Sequence, residues 1–178
     1  MQQKIVPNLW FDKEAEEAAE FYTSIFKKSR IVGGTRYPEG SPGPTGEVMT
    51  VEWELDGQRF VGINGGPEFK FSEAISLQID CEDQEEVDYY WDRLTADGGE
   101  ESVCGWLKDK YGLSWQVVPA GMDELFSDSD PERAKRAMET MLKMRKLDIA
   151  ALRSAADGVP APYRGAAGTR SSPRACPS

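Results

Sequence analysis

Cys104-Gly-Trp-Leu-Lys-Asp-Lys-Tyr-Gly-Leu-Ser-Trp-Gln-Val-Val-Pro119 reads as two strands around a tight turn. Asp109 suits the first position of a type I turn, because its carboxylate can accept from the backbone N–H two residues on. Gly112 suits the last position, where a left-handed backbone costs glycine little. Beyond the turn, Leu113, Trp115 and Val117 alternate with Ser114, Gln116 and Val118, so one face is apolar and the other mixed. A related stretch lies upstream. Trp53-Glu-Leu-Asp-Gly-Gln-Arg-Phe-Val61 sets Asp56-Gly57 between two alternating runs, the strongest short-range hairpin signal.

Two hairpins of one kind imply a repeated module, and the flanking sequence supplies the rest of it. The first copy reads as a strand over 5–11, a helix over 13–26 capped by Asp12, and strands over 29–37, 47–55 and 59–64, with a Pro/Gly loop at 38–46. The second restarts at 75, where Ile75, Leu77, Ile79 and Cys81 alternate with Ser76, Gln78 and Asp80. An acidic helix follows over 83–95, and the 104–119 hairpin closes the copy. Phe21-Tyr22 recurs as Tyr90-Trp91 at an offset of 69, and Gly57 recurs as Gly112 at an offset of 55. Repeated modules bury their apolar faces against neighbours. The expected fold is therefore α+β: two tandem βαβββ modules, about 4–64 and 75–119, in curved mixed sheets around a cavity. A C-terminal helical appendix over about 122–152 completes a single domain of residues 1–158. Within it, Asp130-Pro131 opens one helix and Asp148 another. Residues 159–178 hold three arginines and no acids among Pro, Ala, Gly and Ser, and are expected to be a disordered tail.

Composition excludes several classes of function. A net charge of −10 opposes binding to nucleic acid or an anionic membrane surface. No apolar run reaches membrane-spanning length and no signal segment opens the chain, so a cytoplasmic location is expected. Three cysteines, Cys81, Cys104 and Cys176, do not make a disulfide framework or a paired metal-ligand pattern. The chain contains no histidine. That removes the commonest transition-metal ligand, the commonest general base and any Ser-His-Asp triad.

Several stretches together carry a family resemblance. They are Pro7-Asn-Leu-Trp-Phe-Asp12 with Ala15-Glu-Glu-Ala18 and Phe21-Tyr22, then Asn64-Gly-Gly-Pro67, Asp83-Gln-Glu-Glu-Val-Asp-Tyr-Tyr-Trp91, the 104–119 hairpin and Met141-Leu-Lys-Met144. In these the chain resembles the PhnB-like branch of the vicinal oxygen chelate superfamily, the glyoxalase/bleomycin-resistance/dioxygenase fold. That branch is often labelled a demethylubiquinone methyltransferase domain. The resemblance covers roughly residues 4–152. It implies paired βαβββ modules around a cavity, usually in a homodimer. It also implies a divalent metal held by one His or Glu from the first and last strand of each module. Carried over by the helix and hairpin offsets, those positions are Pro7, Val61, Ser76 and Gln116. Only Gln116 offers a ligand atom, and an amide is a weak transition-metal ligand. No metal and no cofactor is therefore expected.

Period two then selects the cavity face. With Pro7, Ser76 and Gln116 inward, Leu9, Phe11, Gln78, Asp80, Ser114 and Val118 follow, and the Asp56-Gly57 turn adds Glu52 and Glu54, the latter opposite Arg59. The candidate ligand-binding residues are Gln116, Gln78, Glu52, Asp80 and Phe11. They suit a small organic molecule with a few hydrogen-bonding groups. Two other functions compete. One is an enzyme of glyoxalase, dioxygenase or demethylubiquinone methyltransferase type with a carboxylate general base. The other is a scaffold dimer with a vestigial cavity.

Overall fold

The computed structural model describes residues 3–159. The tail expected from residue 159 lies, beyond Val159, outside them. The chain divides into two compact units between Phe71 and Ser72. Each contains one βαβββ module.

In the first unit, β1 (Asn8–Phe11) leads into α1 (Ala15–Ile25). β2 (Arg30–Arg36), β3 (Val48–Leu55) and β4 (Gln58–Asn64) follow. The sheet order is β1-β4-β3-β2, with β1 parallel to β4 and the other pairs antiparallel. Asp56 and Gly57 turn β3 into β4 with φ of 44° and 82°. Positive φ at both central residues is the tight hairpin geometry that matches strand twist. The register that follows sets Glu54 opposite Arg59 and Glu52 opposite Val61, as expected. The ion pairs run otherwise: Arg59 reaches Glu52 diagonally, and Glu54 is taken by Arg30 of β2 at 3.0 Å.

One side of this sheet is covered by α1. Ala15, Ala18, Ala19, Tyr22 and Ile25 recur at helical spacing and are buried. Tyr22 stacks on Trp53, which stacks on Phe60. Gly62 is small because it must be: a Cβ there would lie 2.8 Å from the Trp53 ring and 3.0 Å from the Ala15 methyl. The helix itself begins later than expected. Asp12 does not cap it, and Glu14 provides no side-chain cap. The Ala15 N–H instead donates to Asn64 Oδ1 at 2.9 Å, and the same carboxamide donates to the Val48 carbonyl at 3.0 Å.

In the second unit, β5 (Ser76–Cys81) leads into α2 (Gln84–Leu94). A short 3-10 turn, β6 (Glu100–Glu101), β7 (Trp106–Lys108) and β8 (Ser114–Pro119) follow, in the order β5-β8-β7-β6. Here the cap is local. Asp83 accepts from the Glu86 N–H at 3.0 Å, and Glu86 reaches back to the Glu82 N–H at 2.9 Å. Val87, Tyr90, Trp91 and Leu94 form the buried stripe of α2. The β7–β8 turn is the expected one. Gly112 donates to the Asp109 carbonyl at 2.8 Å with φ of 83°, and the Tyr111 N–H donates to Asp109 Oδ1 at 2.9 Å.

Three helices complete the unit: α3 (Met122–Phe126), α4 (Pro131–Met141) and α5 (Ile149–Ala156). Asp130 and Asp148 cap the last two, as the sequence indicates. Met122, Leu147 and Leu152 form their core. Gln84 of α2 ties this appendix down, donating to the Leu147 carbonyl at 3.0 Å and accepting from the Ile149 N–H at 2.9 Å. No helix among the described residues is long and apolar enough to cross a membrane.

Candidate functional site

The strand registers decide which side chains share a face. On the second sheet, Ser76 pairs with Ser114, Gln78 with Gln116 and Asp80 with Val118 across β5 and β8, while Trp106 and Lys108 of β7 pair with Gln116 and Ser114. These residues lie opposite Ile79, Cys81, Leu107, Trp115 and Val117, which are buried on the α2 side. Gln78, Asp80 and Gln116 therefore come together on the open face, as expected. Gln78 Nε2 donates to Asp80 Oδ1 at 2.7 Å, and Gln116 Nε2 to Ser76 Oγ at 2.9 Å.

The first sheet requires a correction. Asn8 pairs with Val61 and Leu9 with Gly62. Gly62 sits under α1 beside Trp53, so Leu9 and Phe11 belong to the helix-covered face. Phe11 is 3% exposed and meets Phe71 edge-on. It is a core residue and shares no face with Glu52. The residues of β1 that lie with Glu52 are Asn8 and Trp10. The cause is a single residue. The two helices are offset by 69, whereas the strand pairs Asn8–Val61 and Gln78–Gln116 are offset by 70 at β1 and β5. The link from β1 to α1 is one residue longer than the link from β5 to α2. A slip of one residue moves every strand side chain to the other side.

The registers also reassign two carried-over metal positions. The register partner of Val61 on β1 is Asn8 rather than Pro7, and that of Gln116 on β5 is Gln78, with Ser76 on the same face and bonded to Gln116. The set is then one valine and three carboxamides, whose oxygens are weak ligands for a transition metal. No group of three or more His, Cys, Asp or Glu able to hold a metal ion occurs among the described residues. The donor set does not fit a transition-metal ion.

Neither candidate carboxylate stands alone. Glu52 is engaged by the Arg59 guanidinium and Asp80 by the Gln78 amide. Cys81 is no nucleophile: burial, reinforced by the Glu86, Asp80 and Asp83 carboxylates, pushes its thiol up to about 12. A thiol so placed stays protonated at neutral pH.

A feature that pattern reading missed lies in the first unit. A cleft of about 650 Å³ opens where the 38–46 loop passes the start of α1, lined by Lys13, Arg36, Tyr37, Glu47 and Asn64 among others. Tyr37 Oη donates to the Asn64 carbonyl, and Arg36 Nη1 to that of Gly46 at 2.9 Å. The Pro/Gly content of 38–46 and the Asn64-Gly-Gly-Pro67 run were its available signals, but neither has a period that shows what closes over what.

A family model described as 3-demethylubiquinone-9 3-methyltransferase matches residues 3–118. The chain belongs to this PhnB-like family of the vicinal oxygen chelate superfamily. A solved PhnB protein from Bacillus cereus is 40% identical, with 66% of this chain and 100% of that one covered at a TM-score of 0.61. More distant structures share the fold alone. A Pseudomonas aeruginosa protein is 17% identical over 66% of this chain and 98% of that one, with a TM-score of 0.55. The Listeria monocytogenes fosfomycin resistance protein FosX is 15% identical over 70% and 96%, with a TM-score of 0.52. No curated protein matches the chain. Within the PhnB-like family, this chain presents amides and hydroxyls on its second sheet where metal enzymes of the superfamily are expected to present His or Glu.

Proposed function

We propose that this PhnB-like protein binds a small organic molecule, without a metal, on the open face of its second sheet. The observation that carries the reading is the Gln78–Gln116 pair, brought side by side by the β5–β8 register with Asp80 and Ser76 adjacent. Such a face offers donors and acceptors in fixed positions without a charged centre strong enough to drive chemistry. The carboxylate-base enzyme fits less well, since Glu52 and Asp80 are both held by neighbours. The methyltransferase label is a family description. The described sheets are mixed and hairpin-built, unlike the doubly wound parallel sheet with a Gly-rich first turn that serves dinucleotides. A homodimer, as the resemblance implies, is part of the proposal and is checked by sedimentation equilibrium.

The test is a thermal-shift screen of the purified protein against small oxygenated and heterocyclic metabolites, with elemental analysis alongside. A ligand at a hundred times its dissociation constant adds about 2.7 kcal/mol of stability, a shift that is easily read. Gln116→Leu should abolish the shift. A stoichiometric transition metal, or a shift untouched by Gln116→Leu, would remove the proposal.

A further inference from the structure

We infer that the open face of the second sheet takes a flat, uncharged heteroaromatic ring carrying a lactam-type edge, an N–H beside a C=O. The inference rests on the proposed binding role of this face and adds the class of ligand. Trp106 is the first observation. It lies on the open face as the register partner of Gln116, whereas the next residue, Leu107, is buried on the helix side. Its indole is half-buried and has no ring or hydrogen-bond partner among the described residues. A tryptophan placed so presents a π face on which a planar ring gains stacking energy.

The amides supply the edge. Trp106, Gln116 and Gln78 form one row across three adjacent strands. Neighbouring strands lie about 4.8 Å apart, so the row spans roughly 10 Å, the width of a two- or three-ring heterocycle. Gln116 and Gln78 each use one amide hydrogen internally, toward Ser76 and Asp80. Each retains a carbonyl oxygen and a second amide hydrogen. A carboxamide matches a lactam edge donor to acceptor, as it matches an adenine edge in the DNA major groove.

Ser114 is the second, independent observation. It lies in the adjacent row, two residues before Gln116 along β8, and is 1% exposed. Its Oγ is buried without a partner. A buried hydroxyl left unsatisfied by the protein calls for a partner such as a bound water or a ligand atom. An anionic ligand is disfavoured, because Lys108, the cation of that row, is engaged by Glu73 at 2.5 Å.

The experiment measures thermal shift and tryptophan fluorescence with xanthine and lumichrome as flat lactam probes, and with malate and glucose as non-aromatic ones. A stabilising shift with xanthine or lumichrome is expected. Trp106→Ala should weaken it roughly ten-fold or more, the scale of losing one stacked ring, while Trp106→Phe retains most of it. Ser114→Ala should weaken binding without lowering the melting temperature of the free protein, since it deletes an unsatisfied hydroxyl. A lactam shift indifferent to Trp106→Ala overturns the inference. So does a response to malate or glucose alone that Gln116→Leu abolishes, and that result leaves the binding role of the face standing. Silence from all four probes overturns the ring assignment, and silence across the wider metabolite screen removes the binding role as well.

Discussion

Asp109 shows how much one side chain can hold. It is 2% exposed, and its carboxylate accepts from the Tyr111 N–H at 2.9 Å, the Leu113 N–H at 3.1 Å and Trp115 Nε1 at 2.8 Å. The first contact was legible from the turn chemistry. The last was not, because it depends on an indole six residues away folding back over the turn. Asp109→Ala removes the acceptor of three donors, two of them buried and the Tyr111 N–H part-buried, at about 1–3 kcal/mol each if water does not reach them. A loss of at least 3 kcal/mol in urea unfolding is expected. A loss below 1 kcal/mol would mean that the turn holds itself. Cys81 is predicted to respond to pH instead. Its thiol is raised in the folded chain from 9.0 to about 12, so above 9 the unfolded chain gives up a proton that the folded chain keeps. Stability from this group is complete below pH 9 and falls as pH rises from 9 toward 12. Melting temperatures from pH 8 to 11 should fall less steeply in Cys81→Ala than in the wild type.

At the scale of elements, the two modules solve one problem in two ways. The start of α2 is satisfied locally, by Asp83 and Glu86. That of α1 is satisfied from the end of β4, by an Asn64 carboxamide that also fastens β3. Asn64→Ala should therefore cost more than a cap substitution, which is typically about 1 kcal/mol, because it frees a donor and an acceptor on two elements. About 2 kcal/mol is expected, with Asn64→Asp intermediate, since it keeps the acceptor and loses the donor. Equal stability in Asn64→Ala and wild type would show that water replaces both contacts. Helix stripes, hairpin turns and the caps Asp130 and Asp148 were legible in the sequence, for each is written within a few residues, whereas Asp12 does not cap α1 and Asp83, read as the first residue of α2, is its cap. The face of β1 was not. It depends on the length of a three-residue link, and repeat offsets taken from the helices carried the wrong parity into the strand.

For the whole molecule, charge sets the response to alkali. Burial lowers Lys146, but the Asp88 and Asp92 carboxylates of α2 outweigh it, leaving the amine raised above 10.5. A raised amine contributes below its unfolded value and loses that contribution as pH climbs through its folded one. Cys81 acts in the same direction from pH 9 upward. The second unit, which holds both groups, should lose protection first as pH rises from 9 to 11, read by hydrogen exchange at α2 and β5 against α1 and β3. Loss beginning in the first unit would contradict this. On the acid side, a backbone N–H from Asp130 and the Arg133 guanidinium hold the Asp128 carboxyl below 3.8. That contribution is present above the unfolded value and fades as pH falls through the folded one.

The sequence alone determined the alternation, the turns, the helix stripes and the absence of histidine, since each depends on side-chain identity at short range. It also placed Gln78 and Asp80 on one face of their strand by period two, whereas their grouping with Gln116 came from the positions the resemblance assigned. Only the tertiary structure decided that Phe11 is core, that Asn8 and Gln78 are the register partners of Val61 and Gln116, that Arg59 holds Glu52, and that Ser114 keeps an unpartnered hydroxyl. Those depend on register between strands that are far apart in the chain, where a shift of one residue exchanges inside for outside.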